Sequence, residues 1–499
     1  MLDPTRTLVP GSLDWWLARL GKRLDDRRVP MTRFEDYYAG VQPLAFASAK
    51  FRQAFGDRFP AFSSNFMALV VDAHRERLHV QGIRIGDAPE GDADAWRWWQ
   101  ENRLDAESQK AHTESLVKGI AYALVWPDPA THLPEVTIES PLQVVVETEP
   151  GKSWKRRAAL KRWLDDDGHY RAELYLPDGI YKFRSEQRTD WFSAPAWASV
   201  ATWTRDEVAT ESWPVANPLG VIPIVPIVNR PRLAGDGQSE IAMVMSNQDA
   251  INKLRADALI AAEFASFRQR WIIGMDIPID PETGQPVEPF RSAVDRLWMV
   301  PPPDPDDPNP PKVEFGEFEQ TDLAPIYAGI DTEVQHLGAI SRTPYHYLLP
   351  QSGQPPSGES LKSSETGLMA KVADSMLNKG ESWEEVFRLN FLFRGDPRGS
   401  DTASEIIWKD PESRTEAVHT DALVKQKSLG IPDEILWEGL GYSPQQIARI
   451  KRLIAAAPPP APAQPPMTDP SITPPGAAAT ALFPPPVDAG SAIPTAAGR

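Results

Sequence analysis

Apolar residues along this chain follow two rhythms, one of helical spacing and one of strand spacing. Near the start, Met31 to Tyr38 predicts a short helical turn, and Phe51, Phe55, Phe59 and Phe62 recur at three and four residues, with Pro60 interrupting. Phe66 to Leu78 continues helically through Leu69, Val70 and Ala73. Leu78 to Ile85 then alternates apolar and polar, as a half-buried strand does. Ala95 to Lys118 returns to a helix, with Trp96, Trp99, Leu104 and Leu116. Strands are predicted at Ile120–Trp126, which Pro127 ends, and at Val136–Ile138 and Val144–Glu147. Ala158–Leu164, Tyr170–Leu176 and Ile180–Phe183 form a meander with turn signals at Asp165-Asp166-Asp167-Gly168 and Pro177-Asp178-Gly179; Val200–Thr204 is a possible fourth strand. Residues 1–230 thus predict an α+β region.

The second half is built differently. Asn217 to Pro231 is broken by prolines and reads as an extended connector. Gln238 to about Arg268 has neither Gly nor Pro and predicts a helix about 45 Å long. Short strands at Trp271–Met275, Leu297–Val300 and Val313–Phe318 flank a proline-rich linker, 301–311. A second helix follows, with Leu323, Ile326, Tyr327, Ile330, Val334, Leu337 and Ile340 at helical spacing and Thr321 or Asp322 able to cap it. Residues 342–356 carry four prolines. Ser357 then opens the longest helix, to about Phe393, with the apolar row Leu361, Leu368, Val372, Met376, Trp383, Val386 and Phe387; Gly367 and Gly380 are points where it can bend. Glu405–Trp408 is a short strand or turn, and Arg414–Leu429, Pro432–Leu440 and Ser443–Ala456 are helices, the last with Ser443 as cap and Pro444 at its first position. From Pro458 to Arg499, 13 of 42 residues are Pro, which predicts a disordered tail.

Composition narrows the possible chemistry. The 499 residues contain no Cys, so disulfides, thiolate metal sites and Cys nucleophiles are excluded. The net charge of −17 argues against a general nucleic-acid binder, which needs a basic patch to release counterions. It remains compatible with a surface that DNA slides past. No apolar run approaches the ~20 residues of a membrane span, and the first 20 residues do not resemble a secretory signal.

Local motifs carry little chemistry. Gly151-Lys152-Ser153 resembles the end of a phosphate-binding loop, but the position that needs its first glycine is Val146, so a hairpin turn is expected. The eight His residues show no ligand spacing, and neither a metal nor another cofactor is expected. Trp96, Trp98 and Trp99 could form a carbohydrate platform, although core packing is the plainer reading. The informative pattern is architectural. Two long helices enclose a small insert, and an interrupted loop and a helix of nearly 40 residues follow. A ring of subunits can use such helices, because each buries its apolar stripe on a neighbour.

Several segments, in order, resemble one family. They are Tyr37-Tyr38-Ala39-Gly40, Phe51 to Gly56, Val70 to Leu78, Asn217 to Pro223, Thr343-Pro344 with Tyr347-Leu348, Pro356 to Glu365, and Trp408 to Pro411 followed by Asp421-Ala422. Together they resemble the portal proteins of tailed bacteriophages, in the group typified by the portal of Bacillus phage SPP1 and in its actinobacteriophage-like branch. The similarity runs over about residues 30–455.

The resemblance implies an α+β portal fold with wing, stem, clip and crown, forming a dodecameric ring at one capsid vertex through which DNA is packaged and ejected. It places the wing at 1–235, stem helices at 238–268 and 322–341, the clip at 270–318 and the tunnel loop at 342–356. The long wing helix follows at 357–393, the crown at 400–456 and the tail at 457–499. It implies that Arg342, Thr343, Tyr345, His346, Tyr347 and Gln351 lie along the DNA channel, and that Leu323, Ile326, Ile330, Val334 and Leu337 pack the stem. The four prolines between 342 and 356 depart from the pattern of a mobile, DNA-gripping loop.

The implied partners are further copies of the chain, the terminase large subunit, a head-completion or adaptor protein, major capsid and scaffolding proteins, and double-stranded DNA read without sequence preference. No catalysis is implied. The implied location is the virion vertex, after assembly in the host cytoplasm. Twelve copies at −17 each would carry −204, and an acidic channel would let DNA move without sticking. Two alternatives carry different signatures. Another virion ring or minor head protein would usually be shorter and lack the helix–insert–helix order. A Trp-rich glycan-active enzyme would need an acid and a nucleophile carboxylate facing each other in a Trp-lined cleft.

Overall fold

The computed structural model describes residues 9–45, 63–86, 90–189, 202–207, 211–233, 236–266, 270–274, 284, 312, 314–317, 322–348, 357–412 and 416–456. Two compact units are present, Met1–Ala448 and Arg449–Arg499; the described part of the second, 449–456, is helical. The expected phenylalanine helix at 51–62, the strand at 297–300, the linker at 301–311 and the tail lie outside the described residues.

The chain opens on helix α1 (Leu13–Ala39), much longer than the turn expected at 31–38. Ser12 caps it by accepting the Trp15 N–H, and Gly40 ends it in the left-handed region at φ 74°. Pro30 lies inside and costs a hydrogen bond. Packing on both sides holds the helix through it: Trp16, Leu17, Leu20 and Leu24 enter one core before Pro30, and Met31 and Tyr37 enter others after it.

Residues 144–216 make a six-stranded antiparallel sheet: β4 (Val144–Glu149), β5 (Lys152–Leu164), β6 (Tyr170–Leu176), β7 (Gly179–Ser185) and β8 (Trp203–Arg205) in that order, with β9 (Val215–Ala216) also pairing β7. The expected meander is present, and Gly151 (φ 79°) makes the expected hairpin turn in place of a phosphate loop. One face of this sheet packs on α1 through Val145, Leu160, Ala172 and Leu174. The other face, with Val146, Ala159 and Tyr175, packs on a three-stranded sheet through Tyr122, Ile222 and Ile224. The edge of β4 is closed by arginines from α1: Arg27 donates to the Val144 carbonyl and Arg23 to that of Val146.

The three-stranded sheet has the order β10 (Ile224–Val228), β2 (Ile120–Pro127), β3 (Pro134–Glu139). The connector expected to be extended is so, and β10 within it is also a paired strand of this sheet. The strand tolerates Pro226 because it lies at the sheet edge, where a missing N–H costs no ladder bond. Its second face, with Ala121, Ala123, Val125 and Ile227, packs on the aromatic core of Trp98, Trp99, Trp383 and Phe387. Trp98 and Trp99 are 1% and 0% exposed, so no carbohydrate platform exists there. The helix expected over 95–118 is two, α3 (Ala93–Glu101) and α4 (Leu104–Lys118), broken where Arg103 turns left-handed (φ 54°) and Asn102 accepts the Val136 N–H.

The long helix α8 (Gly358–Phe393) runs unbroken through Gly367 and Gly380 and forms the last layer. Ser357 caps it as expected. β1 (Val80–Ile85) pairs antiparallel with β13 (Ser404–Trp408), a contact across more than 300 residues. Glu416–Ser428, Asp433–Gly439 and Pro444–Ala456 close the chain as helices α9, α10 and α11. Ser443 and Gln446 exchange the reciprocal bonds of a capping box.

Candidate functional site

Where the stem helices are expected, the chain forms an antiparallel helical pair, α5 (Met245–Ser266) and α6 (Ala324–Ser341). Asn247 donates to Glu333 at 3.0 Å, and Gly329 of α6 faces Leu254. Asp322, outside the first turn of α6, accepts the Ala324 N–H at 2.9 Å. At the far end, β11 (Arg270–Ile273) pairs with β12 (Glu314–Glu317) and brings the two ends of the insert together. Burial of the predicted row falls along α6: Leu337 and Val334 are fully buried within this chain, and Ile330, Ile326 and Leu323 only partly. Tyr327 is 52% and Ile340 43% exposed.

The predicted tunnel residues fall into different roles. Arg342 is exposed, in the left-handed conformation that ends α6 (φ 57°). Thr343 is turned inward, 4% exposed, its hydroxyl 2.9 Å from that of Ser341. Tyr345, His346 and Tyr347 sit in the single helical turn α7 (Tyr345–Leu348), all half-buried. The Tyr347 hydroxyl accepts from Arg77 at 2.6 Å and donates to Glu365 at 2.7 Å, with the Arg77 guanidinium over its ring. Tyr347 therefore bolts this turn to α8 and to the segment that follows α2 (Phe66–Arg75). Burial, with the bond to Glu365, raises its phenol pKa. Gln351 lies outside the described residues.

A site that sequence reasoning missed lies where the strand layers meet the helical pair. Helix α5 starts seven residues later than expected. The preceding backbone is instead bound to the strand layers: Gln238 N–H donates to Asn229 and Glu240 N–H to Leu116. The crossing is so close that a Cβ on Gly237 would lie 2.1 Å from the Gly119 carbonyl oxygen.

This path buries Glu240, 1% exposed, among basic side chains from three parts of the chain. Arg230 lies 3.0 Å from its Oε1, Lys371 of α8 3.6 Å and His74 of α2 3.7 Å. Lys371 also donates to the Ser341 carbonyl at the end of α6, at 2.8 Å. About two turns further along α8, Lys379 is fully buried, and its one hydrogen-bond partner among the described residues is Asn229 Oδ1 at 3.5 Å. Beside it, His112 accepts from the Trp383 indole at 3.0 Å.

The electrostatics follow from this geometry. Burial alone would raise the Glu240 carboxyl, but His74, Lys371 and Arg230 outweigh it and hold it at about 2. Burial lowers His74 to about 4, so it is neutral near pH 7. Burial lowers Lys379 to about 8, against the pull of Glu240. One carboxylate thus balances three surrounding cations. The sequence did hold a signal: the apolar row of α8 jumps seven residues from Met376 to Trp383, and Lys379 fills the gap.

The sequence that builds these elements is similar to known proteins. The profile of the family described as phage portal protein, SPP1 Gp6-like, matches residues 24–457. The chain belongs to that family. It is 30% identical over 405 residues to the portal protein of Mycobacterium phage D29 and 29% identical to that of Mycobacterium phage L5, in each case covering 77% of both chains. Portal proteins are structural components of the virion, so the chain is not an enzyme. No described helix is long and apolar enough to cross a membrane.

Proposed function

We propose that the chain forms a twelve-fold ring at one capsid vertex, the channel for packaging and ejecting double-stranded DNA. The family match over 24–457 carries this reading. Within it, the strand layers with α1 and α8 are the wing, α5 and α6 the stem, the insert between them the clip, and 400–456 the crown. The clip is the docking site for the terminase large subunit and then for a head-completion protein, and the wing faces the capsid and scaffolding proteins. Arg342, the exposed cation at the end of α6, is the residue best placed to meet DNA phosphate. Tyr347 and Thr343, both engaged within the chain, hold the turn in place instead.

The stem assignment has a direct test. Leu337 is buried inside one subunit, so changing it tests folding. Tyr327 is exposed in one subunit and, on this reading, covered in the ring. Tyr327→Asp should leave the far-UV spectrum and melting of the single chain unchanged and lower ring yield about tenfold, because it places an unpaired charge in an apolar seam. Rings at wild-type yield would remove α6 from the seam.

A further inference from the structure

We infer that the tip of the β4–β5 hairpin is a docking arm for a second copy of this chain, seated in the acidic basin at the opposite end of the same sheet. This inference rests on the ring reading and names one of its contacts. The hairpin is irregular. Glu149 pairs with Lys152, whereas Thr148 pairs with Arg156, so Ser153, Trp154 and Lys155 are extra residues thrown out of the ladder. Bulges of this kind re-aim side chains. Here the bulge presents Trp154, 73% exposed, between Lys152 and Lys155, whose only described counter-ion is Glu149. Exposed Arg157 follows. An exposed indole flanked by cations is unusual on a chain of charge −17 and suits an acidic seat with an aromatic floor.

Such a seat exists at the other end of β5. A basin of about 390 Å³ is lined by Trp163, Asp166, Asp167, Glu173 and Phe183, among others. Asp165 and Asp206 share the single cation Arg171 there, and Glu211 pairs with Lys182. Asp166 and Asp167 have no ion pair among the described residues, so the basin keeps a negative excess facing the positive excess of the arm. From Trp154 to Trp163 the strand covers about 30 Å, too far for the arm to reach its own basin. Complementary patches at opposite ends of one subunit make a head-to-tail contact, the kind that generates rings. The simpler use of Lys152 and Lys155, as charges that keep a strand edge from aggregating, leaves the placement of Trp154 and the unpaired Asp pair unexplained.

Charge reversal tests the contact, read as ring yield by native mass and electron microscopy. Lys152→Glu with Lys155→Glu, or Asp166→Lys with Asp167→Lys, should each lower yield about tenfold, since like charges would then face each other. A chain carrying all four changes should return to within about twofold of wild type. All positions are exposed or at a turn, and an unchanged melting temperature confirms folding. Wild-type rings that tolerate either reversal alone, or a fourfold variant that stays defective, overturn this contact and leave the ring reading intact. A wild-type chain that closes no ring with its capsid partners overturns both.

Discussion

Glu240→Gln lowers the thermal stability of the chain sharply at neutral pH. Glu240 is the single carboxylate among Arg230, Lys371 and His74, and removing its charge leaves two buried lysines without compensation. Breaking a buried pair from one side typically costs about 3–5 kcal/mol. The pH dependence gives the same scale. The carboxyl lies at about 2 in the folded chain against an ordinary 4.5, so it contributes stability above pH 4.5 that is lost as pH falls toward 2. That difference is worth about 3 kcal/mol. His74 acts in the same direction at higher pH. Folded at about 4 against an ordinary 6.5, it loses its contribution as pH falls from 6.5 to 4. Melting followed from pH 7 to pH 4 should therefore fall steadily in wild type and less steeply in His74→Phe. A Glu240→Gln chain that melts like wild type at pH 7 would show that the cluster does not hold this junction.

Lys379→Met should raise the melting temperature. The wild-type ammonium is fully buried with one long contact, and its depressed pKa measures what burying the charge costs. That cost is present below about pH 8 and is released as pH rises from about 8 to the ordinary 10.5. Met fills similar space without a charge, so the gain at pH 7 is about 1–3 kcal/mol after the loss of the Asn229 contact. The gain should shrink above pH 8. In the Lys379→Met background, Glu240→Gln should cost less than it does alone, because one cation fewer is left stranded. A lower melting temperature for Lys379→Met, with no pH dependence in the difference, would mean that the lysine is satisfied where it lies.

Much of the local structure was legible because caps and turns are local chemistry. Ser357, Ser443 and Asp322 each supply an oxygen to N–H groups at the helix starts where the sequence places them, and Gln446, not legible as a partner, completes the cap at Ser443. The turn at Gly151 and the meander of β5 to β7 follow from the same kind of signal. The misses come from distant partners. β1 was visible as a strand, but its mate β13 lies more than 300 residues away. Pro226 suggests a connector until β10 is seen at a sheet edge. α1 passes through Pro30 only because two cores hold it from either side. Residues 238–244 have a helical pattern, yet the N–H groups of Gln238 and Glu240 are claimed by Asn229 and Leu116.

The functional residues show the same division. The order of segments was enough to identify the family, and the row on α6 was visible from its spacing. Which members of that row stay uncovered in one subunit was not, because Val334 and Leu337 are buried by α2 and α8, elements far away in sequence. The buried charges were the hardest to see, since Lys and Glu are ordinarily read as solvent-facing.

The central claim is that this chain closes into a portal ring. The most direct measurement is electron microscopy with native mass on the full chain co-assembled with the capsid and scaffolding proteins of its phage. The account predicts closed twelve-fold rings with an open centre, one to a shell. Shells that form without such a ring while the chain stays a folded monomer, or open filaments of the chain, would contradict it.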